Sequence, residues 1–98
     1  MDIKKQSKNG TLTLTVNGRI DTVTAPEFEA YANRWLPGIN LLVLDFTNVN
    51  YISSAGLRVL LSLHKKMLKQ GKMRVINVNE TVNEVFEVTG FSDILTME

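Results

Sequence analysis

The sequence predicts an α/β domain, a mixed sheet of four to five strands with three main helices packed on it. Three observations carry this. Residues 11–16, TLTLTV, alternate apolar and polar side chains with period two, as a half-buried strand does. Leu41–Leu44 is an unbroken apolar run, as in a strand covered on both faces. Between and after these lie stretches with apolar residues at helical spacing. The order is β-β-α-β-α-β-α-(β). Strands alternating with helices after an initial hairpin imply a sheet that is mostly parallel in its later part.

Each element has a local reason. Leu12, Leu14 and Val16 share one face of the second strand, with threonines on the other. Asn9-Gly10 is a hairpin turn signal that joins it to a first strand containing Ile3, and Gly18 is read as its end. Thr24-Ala25-Pro26-Glu27 reads as a helix start, with Thr24 as cap, proline in the first turn and Glu27 three residues after the cap. Phe28, Tyr31, Ala32, Trp35 and Leu36 follow at helical spacing, and Pro37-Gly38 stops the helix.

The central strand is read as residues 41–46, followed by a short polar turn. A helix from about Ser54 to Gln70 comes next. Gly71 is its stop, and Lys65, Lys66 and Lys69 lie in its last turns, where the dipole favours cations. Residues 73–78 form another strand. Residues 80–89 form a short helix, with Val82, Val85, Phe86 and Val88 on its apolar side and Gly90 after it. Ile94-Leu95 is read as a last short strand.

Composition narrows the function. The 98 residues form one domain, residues 1–98, with enough apolar content (44%) for a modest core. Eleven basic and ten acidic residues leave a net charge of +1, which argues against direct nucleic-acid binding through a basic surface. With no cysteine there is neither a disulfide framework nor thiolate chemistry. The first ten residues contain no apolar signal-peptide core, and no apolar run is long enough for membrane insertion. The expected location is the cytoplasm.

The chemistry concentrates at Ser53 and Ser54. Two adjacent hydroxyls there precede a helix whose first N–H groups have no intrahelical partner and whose dipole favours negative charge. Such a position suits a capping serine, the commoner use, and it also suits a phosphate. Ala55 and Gly56 behind the pair are small enough to leave the helix end open to a visitor. Asp21 and Asp45 each follow or end a strand, where ligands of open sheets collect. Either can position a hydroxyl near the serines or hold the metal of a bound nucleotide, or serve simply as a turn carboxylate. No second acid stands at metal-ligand spacing, so no intrinsic metal site and no cofactor are expected.

His64, the only histidine, stands ten residues after Ser54. At about 1.5 Å of rise per residue that is roughly 15 Å along the helix, too far to act as its base. No Ser–His–Asp triad and no phosphate loop is present. Leu57, Leu60, Leu61, Met67 and Leu68, widened by Val59 and Leu63, give this helix more apolar surface than a sheet requires. The excess fits either a neighbouring helix or a protein-binding face beside Ser54.

Two segments resemble the STAS family, named for sulfate transporters and anti-sigma factor antagonists. Gly18-Arg19-Ile20-Asp21 followed by Thr24-Ala25-Pro26-Glu27-Phe28 is similar to its G-x-[LI]-D-x-x-[ST]-A-P-E-[LF] segment. Residues 45–57, DFTNVNYISSAGL, are similar to its D-[LF]-[ST]-x-[VL]-x-[FY]-[IM]-[DS]-S-[STA]-G-L segment. The resemblance covers essentially the whole chain and implies the STAS fold.

It further implies a non-enzymatic anti-sigma factor antagonist. By this resemblance Ser54 is the phospho-acceptor, with Ser53 as the alternative. The implied partners are an anti-sigma factor that is itself a GHKL-type serine kinase, and a phosphatase that resets the switch. Asp21, Ser53, Ser54, Ala55, Gly56, Leu57 and Arg58 would form the binding face. Two residues depart from the family pattern. Ser53 replaces an aspartate common before the acceptor, and Ala55 replaces a small hydroxyl residue common after it. STAS domains also serve transporters and signalling complexes as non-phosphorylated scaffold subunits, which is the alternative reading. Oligomeric state is left open.

Overall fold

A computed structural model describes residues 1–94, together with the backbone of Thr96 and Met97. Five strands lie in the order β1-β2-β3-β4-β5: β1 Asp2–Lys8, β2 Thr11–Ile20, β3 Leu41–Ile52, β4 Lys72–Ile76 and β5 Thr96–Met97. β1 and β2 are antiparallel, and every later pair is parallel. The hairpin turn has positive φ at both Asn9 and Gly10 (52° and 82°), the primed geometry that matches strand twist. Helices α1 (Ala25–Trp35), α2 (Ser54–Leu68) and α3 (Glu80–Thr89) each occupy a crossover between parallel strands. A short 3₁₀ turn, Phe91–Asp93, follows α3. Ile94 lies in a turn rather than a strand, and Leu95 lies outside the described residues.

One apolar cluster holds the layers together. Leu12, Leu14 and Val16 of β2 and Leu42, Leu44 and Phe46 of β3 are fully buried with Phe28 of α1, Leu60 and Leu63 of α2 and Phe86 of α3. The alternate residues of the sheet, among them Thr11, Thr13, Leu41 and Val43, are only half-buried. The central strand is therefore covered by helices on one face, not on both. Its apolar run reflects β-propensity on the open face as well as core on the other.

Two strands outrun their expected ends. β2 continues through Gly18, whose φ is 109°, and β3 continues through the polar stretch 47–50. The ladder between them shifts register twice, between Thr15 and Asn17 and again between Gly18 and Arg19. Irregularities of this kind let a ladder absorb an extra residue and carry on. Between the shifts Asn17 pairs with Asn48 and Gly18 with Val49, and the Asn48 amide donates to Asn17 Oδ1 at 2.7 Å. Pairing continues at Arg19–Tyr51 and Ile20–Ile52. This extension carries both strands to the edge where α1 and α2 begin.

The apolar surplus of α2 is mostly core. Leu57, Val59, Leu60, Leu63 and Met67 are buried and Leu61 is half-buried. Leu68 is exposed, at the end of the helix remote from Ser54. On α3, Val82 and Phe86 are buried, while Val88 is 87% exposed and lies off the apolar side. No helix among the described residues is long and apolar enough to cross a membrane.

Candidate functional site at the start of the second helix

Because β2, β3 and β4 run parallel, all three helices begin at one edge of the sheet. The Ser53 N–H donates to the Ile20 carbonyl at 2.8 Å. Asp21 and Ser54 each follow directly on one partner of that bond, so the structure brings the two together. Asp45 is elsewhere. It pairs with Thr15 and Ile76 on the face opposite the helices, seven residues short of Ile52. At about 3.3 Å per strand residue that is roughly 20 Å from the edge. Burial pushes the Asp45 carboxyl's pKa up, but the Thr47 hydroxyl and N–H and the Asn77 amide hold it, on balance, below its ordinary value. It is a strand carboxylate that ties Thr47 and Asn77 to the open face of the sheet. His64 lies along α2, away from the edge.

The first turn of α2 divides its two hydroxyls. Ser53 is extended (φ −94°, ψ 175°), and its Oγ accepts the Gly56 N–H at 3.3 Å. It is the N-cap, and it is partly buried. Ser54 is the first helical residue and is exposed; among the described residues no hydrogen bond engages its hydroxyl. The first turn of α2 contains no acidic residue. The helix's own first turn therefore supplies no anion to the dipole's positive end.

Gly56 does not leave room for a visitor. A Cβ at this position would stand 2.7 Å from both Ile20 Cγ2 and Ile52 Cγ1. The glycine lets the helix sit directly on the ends of β2 and β3. Leu57 beside it is 7% exposed and belongs to the core. Of the expected binding face, Gly56 and Leu57 thus lie beneath the surface, while Ser54 and Arg58 are exposed and Asp21, Ser53 and Ala55 are partly so.

Asp21, not Thr24, organises the start of α1. Its Oδ1 accepts the N–H groups of Val23 (3.0 Å) and Thr24 (2.9 Å). Thr24 makes no side-chain cap, so the expected box with Glu27 is not formed. Its hydroxyl instead donates to the Arg19 carbonyl at 2.7 Å, with Asp21 Oδ1 a second acceptor at 3.2 Å, and accepts the Asp21 N–H at 2.9 Å. The Thr24 N–H is the main cause holding the Asp21 carboxyl below its ordinary pKa. Desolvation opposes it, and the Val23 N–H, the Thr24 hydroxyl and the Arg19 guanidinium add to it.

Arg19 and Tyr51 complete the surface, and reading the sequence residue by residue gave them no role. The guanidinium lies 4.3 Å from the Tyr51 ring centroid, and its Nε is 3.7 Å from Asp21 Oδ2. Their signal was available in the spacing: each stands two residues before a site residue, Asp21 or Ser53. Val23 projects beside them, 84% exposed. Among the described residues no group of His, Asp and Glu could hold a metal ion.

The family model for the STAS domain matches residues 2–98. The chain belongs to the STAS domain family. BtrV of Bordetella bronchiseptica, assigned as an anti-sigma factor antagonist, is 34% identical over 96 residues, covering 96% of this chain and 83% of that protein. The crystal structure of an anti-sigma factor antagonist from Mycobacterium paratuberculosis superposes with a TM-score of 0.86 at 25% identity, covering 98% of this chain and 83% of the other. SpoIIAA of Bacillus, solved in its phosphorylated form, shares the fold at a TM-score of 0.75 and 14% identity, with 99% and 91% covered. This STAS domain thus falls among the anti-sigma factor antagonists, which are regulators rather than enzymes.

Proposed function

We propose that this STAS domain is an anti-sigma factor antagonist that binds an anti-sigma factor with serine kinase activity and is switched off by phosphorylation at Ser54. One observation carries the choice of residue: the Ser54 hydroxyl is exposed and uncommitted, while the neighbouring Ser53 hydroxyl caps the helix. In the reaction the Ser54 oxygen attacks the γ-phosphorus of ATP held by the kinase. The bond to the β-phosphate oxygen breaks, ADP leaves, and the hydroxyl proton passes to a base on the kinase. The domain supplies a nucleophile at the end of a rigid helix; the kinase supplies the rest.

The product changes binding more than folding. A phosphoserine adds about −1.5 to −2 charge at pH 7. At the positive end of α2 that charge is favourable by about 0.3–1 kcal/mol, so the domain stays folded. Inside a packed interface the same charge must be desolvated, and it faces Asp21 in the adjacent loop as well as any acid on the partner. Release of the anti-sigma factor and its return to the sigma factor follow. A phosphatase restores the antagonist.

The test is titration of wild-type, Ser54→Ala and Ser54→Asp protein into the partner kinase by calorimetry. Ser54→Asp is expected to bind at least about tenfold more weakly than wild type, and Ser54→Ala about as well. Equal binding by all three would overturn the switch and leave a constitutive scaffold subunit of a transporter or signalling complex.

A further inference from the structure

We infer that Arg58 is the internal receptor for the phosphate: once Ser54 is phosphorylated, the phosphate pairs with the Arg58 guanidinium of the same helix. The inference rests on the reading of Ser54 as acceptor. What points to it is the cation one turn along, not the helix end. Arg58 follows Ser54 by four residues on α2, which places the two Cβ atoms about 5–6 Å apart on one face. Arg58 is exposed, and among the described residues it has no ion pair, hydrogen bond or ring contact. Glu29 of α1 lines the same shallow hollow as Arg58, together with Thr22, Pro26 and Ala55, yet makes no ion pair with it. The nearby cation Arg19 is engaged by Tyr51 and Asp21. The order also fits, since an anion four residues before a cation is the better orientation on a helix. A phosphate and a guanidinium can form two parallel hydrogen bonds at this spacing.

The consequence is a double change of charge. Unmodified, this face offers a free guanidinium to an acidic group on the partner. Phosphorylated, it gains an anion and withdraws that guanidinium at once. One event thereby removes an attraction and adds a repulsion.

The test is phosphorus NMR of protein with phosphoserine installed at position 54 during translation, which makes it independent of any kinase. The charged groups around this position are Arg58, Glu29, Asp21 and Arg19, and the last three are identical in the proteins compared. The second phosphate pKa in the Arg58 protein is expected to lie about 0.3 units below that in Arg58→Gln, the equivalent of an exposed i,i+4 ion pair. Arg58→Lys should recover part of the shift, and the difference should shrink at 1 M salt. Equal pKa values in the Arg58 and Arg58→Gln proteins would overturn the inference and leave Ser54 as acceptor untouched. A kinase that ignores Ser54 would instead sink the acceptor while leaving this measurement valid.

Discussion

Two helices of this domain begin side by side at one edge of the sheet, and they begin in different ways. At the start of α1 the side chains of Asp21 and Thr24 are both committed. Asp21 accepts two N–H groups, and the Thr24 hydroxyl both donates and accepts. At the start of α2 the chain presents two hydroxyls and commits one, Ser53. The first arrangement is a saturated turn that fixes the loop. The second leaves a nucleophile of known position facing solvent. A saturated network stabilises; an unsaturated exposed hydroxyl is available to another protein. The difference between these helix starts separates the part of the edge that is held from the part that leaves a hydroxyl open to solvent.

Four substitutions probe the difference between these two helix starts. The largest effect belongs to the seat beneath α2. Gly56→Ala drives a methyl into Ile20 and Ile52, and urea unfolding should show a loss of about 1–3 kcal/mol. Next comes the committed serine: Ser53→Ala removes the cap and should cost about 1 kcal/mol by the same measurement.

Asp21→Asn is expected to do less, since its amide oxygen can still accept both N–H groups and only the charge is lost. Its signature is in pH. The folded-state pKa of Asp21 is lowered from 3.8, so its carboxylate contributes stability above that value and loses it as the pH falls through the lower folded pKa. Wild type should therefore melt above Asp21→Asn at pH 6, and the gap should close in the acid range below 3.8. A gap that persists at pH 2 would mean that the charge is not its source. The smallest effect belongs to the free serine: Ser54→Ala should leave stability within about 0.5 kcal/mol of wild type. A loss equal to that of Ser53→Ala would abolish the contrast between the two hydroxyls.

The same contrast explains what could be read from the sequence. Period-two alternation at 11–16 and helical spacing in all three helices were sufficient for the fold, because those patterns record which side chains meet the core. The pairing of Asp21 with the serine loop was legible because both follow parallel strands. The long end of β3 was not legible. Thr47, Asn48 and Asn50 look like a turn, and only the register shifts against β2 keep them in the ladder. Nor was the choice between Asp21 and Thr24 as the organiser of α1, which depends on which side chain reaches back to which N–H. Gly56 was misread for a related reason: its smallness is visible in sequence, but the two isoleucines that require it come from two different strands.

The most direct test of the account is intact-mass analysis with fragment mapping after incubation with the partner kinase and ATP, for wild type, Ser53→Ala and Ser54→Ala. A single phosphate is expected on Ser54 in the first two proteins and none in the third. A phosphate mapped to Ser53, or gained by Ser54→Ala, would contradict it.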